Sequence, residues 1–270
     1  AMIKGFTGTF NQNEEDINFM ASILVSMESR LLDCEGGVYA LLFICVSEIH
    51  RLMAAKGAVY PIEQLMADSN EAFNKGDYLP AVISYYQTPT GELLSMPFNS
   101  STPVLWYNKD AFDAAGAKVP STWAEVITAA QALVDNGMKC GVSFGWQSWV
   151  MLENYSSWHN LSLGTKENGF AGTDTSFSFN NDKVKARIGS IYNWSKDKLF
   201  TYGGRRGDSL SMYTNGECGM WMNSSAYYGS IKKQAKFDFG QTMLPLDTDV
   251  TSKAQNSIIG GATLWVLKGR

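Results

Sequence analysis

Four small, uncharged, hydrogen-bonding side chains stand together between two segments that are typical of strands. They are Asn99, Ser100, Ser101 and Thr102. If the strands hold such a loop rigidly, it can offer hydroxyl and backbone N–H donors to an anion or a polyol. An ordinary polar turn has the same composition, so the residues alone leave both interpretations open.

The flanking residues predict how this loop is held. Before it, the sequence at 93–98 alternates around Pro97. After it, 104–107 is a run of β-branched and aromatic residues, which predicts a buried strand. Residues 108–110 then turn the chain into a short helix.

Helices and strands alternate along the rest of the chain. The clearest helix is predicted over 121–137, where Thr122 and Glu125 fit a capping box and Gly137 fits the C-terminal stop. Further strands are predicted at 139–144, 218–222, 237–244 and 257–267, an extended segment at 170–180, and further helices at 146–159, 182–196 and 224–235. This alternation predicts an α/β architecture.

Composition excludes several classes of function. The formal net charge of -4, without a long run of Lys or Arg, argues against nucleic acid as a partner. The sequence contains no stretch of 18 apolar residues, so we expect no transmembrane helix. The cysteines form no C-x-x-C pair and the histidines are only His50 and His159, so we expect no metal site and no cofactor. Cys140 and Cys218 could form a disulfide or remain buried thiols.

Enzymatic interpretations have weak support. Glu153 and Asp174 could be imagined as a glycosidase pair, but the sequence gives neither their separation nor an environment that raises one pKa. Ser101 has no histidine partner in a recognisable nucleophile motif. We therefore predict no catalytic residue and no enzyme.

The run 97–112, PFNSSTPVLWYNKDAF, resembles the hinge region of the extracytoplasmic solute-binding proteins of ABC transporters. The sequence of this segment is similar to that of one branch of the family, which binds glycerol-3-phosphate in the periplasm. The resemblance extends from about Arg51 to the end of the chain. Further matching stretches lie at 138–141, 145–149, 152–154, 168–174, 235–237 and 255–266.

The resemblance implies a two-lobed periplasmic-binding-protein fold, α/β and type II-like. It assigns 1–101 to an N-terminal lobe, 102–256 mainly to a C-terminal lobe, and 257–270 to a hinge strand that returns toward the first lobe. By the same comparison the family's first strand and its C-terminal remainder lie outside the chain, so we expect the fold to be incomplete. The segment 13–50 does not follow the family pattern, and either a local reading-frame error or true divergence would explain it.

The resemblance also implies a binding site. Ser101 and Ser224 match serines whose hydroxyls bind the ligand, and Ser224 precedes a helix. Gly261 matches a residue whose backbone N–H contacts the ligand, where a Cβ would block the approach. Trp146 matches an aromatic platform for the glycerol moiety, although a core tryptophan is the competing interpretation.

Two positions depart from the family. Phe10 stands where the family has a tyrosine, which removes one phenolic donor. Glu48 is the nearest match to a glutamate that receives the glycerol hydroxyls, but it is two residues out of register. The family's last binding residues, a tyrosine and an arginine, correspond to positions beyond Arg270.

The predicted function is capture of glycerol-3-phosphate, or of glycerophosphodiesters, for import across a membrane. The implied partners are this small ligand and the permease subunits of an ABC importer. The implied location is periplasmic or otherwise extracytoplasmic, with no signal peptide recognisable at Ala1, and the implied state is a monomer. A maltose-like oligosaccharide binder and a fragment without binding activity remain the alternatives.

Overall fold

The computed structural model describes residues 57, 59–88, 90–169, 171, 172 and 174–268. Two of the predicted site residues, Phe10 and Glu48, lie outside this part of the chain. The described residues fall into two compact units. One comprises residues up to Asn99 together with those from Ala262 onward, and the other is Ser100–Gly261.

The first unit has a small apolar core. Strand β1 (Val59–Tyr60) pairs antiparallel with β8 (Val266–Leu267), and helices α1 (Ile62–Asp68) and α2 (Pro80–Tyr85) accompany them. A 3-10 turn spans Lys75–Asp77. The buried side chains that share this core are Ile62, Ile83, Tyr86 and Leu93.

Two strands carry the chain between the units. Strand β2 (Met96–Ser101) contains the first crossing and β7 (Gly260–Leu264) the second, and they form a two-stranded sheet. The prediction of a four-residue loop was therefore wrong, because Asn99, Ser100 and Ser101 belong to β2. Only Thr102 stands between β2 and β3.

The second unit is built on a four-stranded sheet in the order β4-β5-β3-β6. Strand β3 (Pro103–Asn108) runs antiparallel to both β5 (Cys218–Ser224) and β6 (Phe239–Thr242), and β4 (Cys140–Phe144) runs parallel to β5. Successive side chains of a strand point to opposite faces. On β5, Met220 and Met222 accordingly enter one core cluster and Trp221 the other. Both faces are buried, so most residues of β4 and β5 are apolar, and the exceptions are Ser143, Asn223 and Ser224.

The clearest predicted helix of this unit is present with its predicted N-terminal cap. Helix α4 (Trp123–Asp135) has the predicted capping box at Thr122 and Glu125. Asn108 caps the short helix α3 (Lys109–Ala115), which ends at Gly116 with φ of 62°. The other helices are α5 (Tyr155–Trp158), α6 (Asp182–Lys196), α7 (Leu210–Thr214) and α8 (Tyr228–Gln234), with a single turn at Thr165–Asn168 and a 3-10 turn at Ser225–Tyr227.

The helix predicted over 146–159 is present from residue 147, but its winding changes along its length. A wider π-turn spans Trp149–Asn154 and only then does α5 follow. Trp146 has a φ of 47°, in the left-handed region, and stands outside the helix. The side chain of Trp146 therefore does not follow the spacing of the helical residues that come after it.

The open question about the cysteines is settled by the sheet. Cys140 and Cys218 lie opposite each other on the parallel strands β4 and β5 and form a disulfide that closes a 78-residue separation. A link of this length restricts the unfolded chain, which stabilises the folded unit.

A buried polar cluster fixes the end of α5. In His159, the ring Nδ1 lies 2.6 Å from the carbonyl oxygen of Tyr155, and Nε2 accepts from the N–H of Asp247 at 2.7 Å. The Tyr155 hydroxyl donates to the Asp247 carboxylate. Beside them the buried guanidinium of Arg187 packs on the rings of Trp123 and Tyr155, and burial lowers its pKa to about 9.

This cluster predicts acid sensitivity. The backbone bonds of His159 require a neutral ring with the proton on Nδ1, and burial lowers its pKa. In the unfolded chain a histidine binds a proton with a pKa near 6.5. The unfolding free energy of the protein should therefore fall as the pH drops from 7 through 6.5, by at most about 1.4 kcal/mol per pH unit for this group.

Proton NMR of the His159 ring tests this directly in the folded protein. We expect its titration midpoint to lie below that of a histidine in a short peptide. A midpoint at or above the peptide value would contradict the assigned hydrogen bonds.

Candidate functional site

Ser101 and Thr102 are bonded to the segment that precedes β7. The Ser101 hydroxyl donates to the carbonyl oxygen of Gly260 at 3.3 Å. The Thr102 hydroxyl lies 2.7 Å from the Ser257 hydroxyl and donates to the Ile258 carbonyl at 2.8 Å. Gly261, the next residue after Gly260, is therefore held beside Ser101.

A buried amide reinforces this arrangement from the other side. The side-chain oxygen Oδ1 of Asn154 accepts from the Ser257 hydroxyl at 2.7 Å and from the Ile258 backbone N–H at 2.9 Å. Trp149, in the same π-turn, packs so closely on Gly260 that a Cβ there would lie 3.2 Å from its ring. The segment 257–260 is thus fixed between the start of β3 and the π-turn.

Ser224 is placed by the pairing of β3 with β5, in which it lies opposite Pro103. The strand ends are joined by two bonds: the Thr102 N–H donates to the Ser225 hydroxyl at 3.1 Å, and the Ser225 N–H donates to the Thr102 carbonyl at 2.9 Å. The Ser224 oxygen caps the next turn by accepting from the Ala226 N–H. Ser101 precedes Thr102 in the chain, and Ser224 precedes the residue that is hydrogen-bonded to Thr102.

Trp146 has an exposed fraction of 36%, so it is not the core residue of the competing interpretation. The backbone N–H of Trp146 donates to the backbone carbonyl oxygen of Arg206 at 3.1 Å. The same oxygen accepts from the side-chain amide of Asn223 at 3.1 Å. Asn223 precedes Ser224 in β5. The tryptophan is thereby linked to the strand that carries Ser224.

The turn that contains Arg206 was missed by the sequence reasoning. It connects Phe200 to α7 with the residues TYGGRRGDS, and Gly207 packs against the hydroxyl of Tyr227 so closely that a Cβ there would overlap it. The available signal was the pair of arginines within a glycine-rich turn, which stood out in a chain with so few clustered cations.

The structure brings four of the six predicted site residues into one unit. Ser101, Trp146, Ser224 and Gly261 all lie within Ser100–Gly261, and the hydrogen bonds above involve them or their neighbours in sequence. Phe10 and Glu48 lie outside the described residues. The role of all six as ligand-binding residues stays a prediction.

The chemistry that this arrangement offers is binding by neutral donors and an aromatic face. Hydroxyls and N–H groups suit a phosphate or a polyol, and an indole face suits the C–H face of a polyol. Within the described residues, no group of His, Cys, Asp and Glu could hold a metal ion. The described histidine, His159, is buried with both ring nitrogens bonded to the backbone, so it is not placed to activate a serine.

The sequence profile of the bacterial extracellular solute-binding proteins matches residues 41–270. The sn-glycerol-3-phosphate-binding periplasmic protein UgpB of Escherichia coli K12 is 41% identical over 239 residues, which cover 87% of this chain and 54% of that protein. The UgpB of Salmonella typhimurium gives the same identity and coverage. The chain thus spans about half the length of the curated relatives it matches.

Solved structures agree on the fold. UgpB from Mycobacterium tuberculosis in complex with glycerophosphocholine has a TM-score of 0.69 at 16% identity, over 96% of this chain and 63% of that one. The GacH receptor of Streptomyces glaucescens has a TM-score of 0.65 at 21% identity, over 81% of this chain and 54% of that one. These likenesses confirm the predicted α/β fold of periplasmic binding proteins.

The link between Trp146 and β5 depends on Gly145. A methyl group at this position would overlap the Asn223 amide and the Arg206 carbonyl, so Gly145→Ala should break their hydrogen bond and lower the unfolding free energy by about 1–3 kcal/mol. Denaturant unfolding followed by tryptophan fluorescence measures this.

Gly229→Ala is the matched control, because a methyl group there meets no described atom within 4 Å and the residue lies in α8. Its helix should be unchanged or up to about 1 kcal/mol more stable. Equal effects of the two substitutions would contradict the packing described for Gly145.

Proposed function

The chain belongs to the bacterial extracellular solute-binding proteins, and from this premise we propose that it is the substrate-binding component of an ABC importer. Its proposed ligand is sn-glycerol-3-phosphate or a glycerophosphodiester built on it. The protein binds and releases this ligand without a chemical step.

One observation carries the proposal. Over 239 residues, which cover 87% of its length, the chain is 41% identical to a protein named for binding sn-glycerol-3-phosphate. The geometry of the unit Ser100–Gly261 supports it, because residues from four separate stretches are tied to one another there. Such a network is expected where a polar ligand must be met by groups of fixed position.

The proposed roles follow from the chemistry of each residue. The hydroxyls of Ser101 and Ser224 donate to phosphate oxygens, and the backbone N–H of Gly261 provides a further donor. Each neutral hydrogen bond contributes about 0.5–1.5 kcal/mol net. The indole of Trp146 packs on the carbon backbone of the glycerol and leaves the glycerol hydroxyls free.

The proposed partners are the permease subunits of the importer, which receive the ligand outside the cytoplasm. We propose a periplasmic or otherwise extracytoplasmic location and a monomeric state. None of the helices in the described part of the chain has the length and apolar character needed to cross a membrane.

The aromatic platform gives a direct test of ligand and site together. Trp146→Ala should weaken the binding of glycerol-3-phosphate by about 1–3 kcal/mol, or roughly 5- to 150-fold in Kd, because the glycerol loses its apolar contact. Calorimetric titration measures the affinity, and a melting curve shows that the variant is folded.

Tyr192→Ala serves as the control, since this tyrosine is an exposed aromatic residue on α6. It should leave the affinity unchanged. A Trp146 variant with a much lower melting temperature and an unchanged affinity would show that the tryptophan is structural. Failure of the unaltered protein to bind glycerol-3-phosphate would overturn the proposed function.

A further inference from the structure

The guanidinium of Arg206 lies over the ring of Trp146, with its central carbon 5.2 Å from the ring centroid. The side chain is half-buried. Within the described residues it makes no salt bridge. Among the described residues its positive charge therefore has no carboxylate partner, and it lies against the indole proposed to contact the glycerol.

The main chain around this cation is fixed. The Arg206 carbonyl accepts from both the Trp146 N–H and the Asn223 amide. The Gln147 amide donates to the Gly204 carbonyl at 2.9 Å. The one carboxylate of the turn, on Asp208, accepts from the Arg205 N–H at 2.9 Å and forms no ion pair with Arg206.

Backbone conformation sets this place apart as well. Trp146 and Arg206 are both non-glycine residues in the left-handed region, with φ of 47° and 50°. Such conformations cost free energy and persist only where the surroundings hold them. The bond between these two residues is part of what holds them, and it keeps the guanidinium next to the indole.

We propose that Arg206 is a specificity-determining residue that pairs with the anionic phosphate group of the ligand. This inference rests on the proposed function, because it assigns the charge recognition of that same site. A guanidinium forms shorter and stronger charge-assisted bonds to phosphate than neutral hydroxyls do, and it can present two N–H groups to two oxygens. The described serines and glycine offer only neutral donors, so Arg206 supplies the cation that they lack.

The neighbouring Arg205 provides a matched control. It lies in the same turn and carries the same charge, but its side chain is exposed and it has no ring contact with Trp146. Arg206→Gln and Arg205→Gln therefore change the net charge equally. Both keep the backbone carbonyls, so the structural hydrogen bonds of the turn remain possible.

The experiment is calorimetric titration of the unaltered protein and of both variants with glycerol-3-phosphate, with inorganic phosphate as a second probe. We expect Arg206→Gln to weaken glycerol-3-phosphate binding about 10- to 100-fold. Arg205→Gln should change it less than threefold. Arg206→Lys should recover part of the loss, because it restores a charge but not the paired donors. Inorganic phosphate should compete with glycerol-3-phosphate in the unaltered protein and compete less well in Arg206→Gln.

The outcomes separate the two proposals. If the unaltered protein does not bind glycerol-3-phosphate, the proposed function fails. If it binds and Arg206→Gln equals Arg205→Gln, the function stands and the role of Arg206 is refuted. A purely structural role would lower the melting temperature of Arg206→Gln with no recovery of affinity in Arg206→Lys. If Arg206→Gln does not fold, Arg206→Lys decides, since unchanged affinity in that variant would refute the paired contact.

Discussion

The antiparallel pairing of β3 with β5 is the constraint on which the candidate site depends. Because Pro103 lies opposite Ser224, the two strands end together, and Thr102 and Ser225 exchange hydrogen bonds at that point. The register is held by side chains buried on both faces of the sheet, and a shift by one residue would send Trp221 and Met222 to the wrong faces. Packing in the core thus fixes the polar groups that lie at the adjoining ends of β3 and β5.

Charge is the second constraint. The chain has a formal net charge of -4 and no basic stripe, so long-range attraction cannot concentrate an anionic ligand at the site. Recognition of a phosphate then depends on a local cation. The structure offers Arg206, whose position is set by backbone hydrogen bonds and by contact with Trp146.

Much of the fold was predictable because its signals are local. The capping box at Thr122, the turn into a short helix at 108–110 and the β-branched run of β3 each specify an element within a few residues, and each is present. The Asn99–Ser101 segment was not predictable as strand, because its pairing with β7 joins residues some 160 positions apart. The π-turn after Trp146 has no sequence signal either. For Arg206 the sequence shows only an arginine pair in a glycine-rich turn, and its significance comes from contacts with Trp146 and Asn223, which lie far from it in sequence.

A crystal structure of the protein with glycerol-3-phosphate tests the central claim most directly, namely that the unit Ser100–Gly261 holds the ligand with its own polar groups. We expect phosphate oxygens within about 3 Å of the hydroxyls of Ser101 and Ser224, with the glycerol carbons against the Trp146 ring. Ligand density elsewhere on the molecule, with these side chains in contact only with solvent, would contradict it.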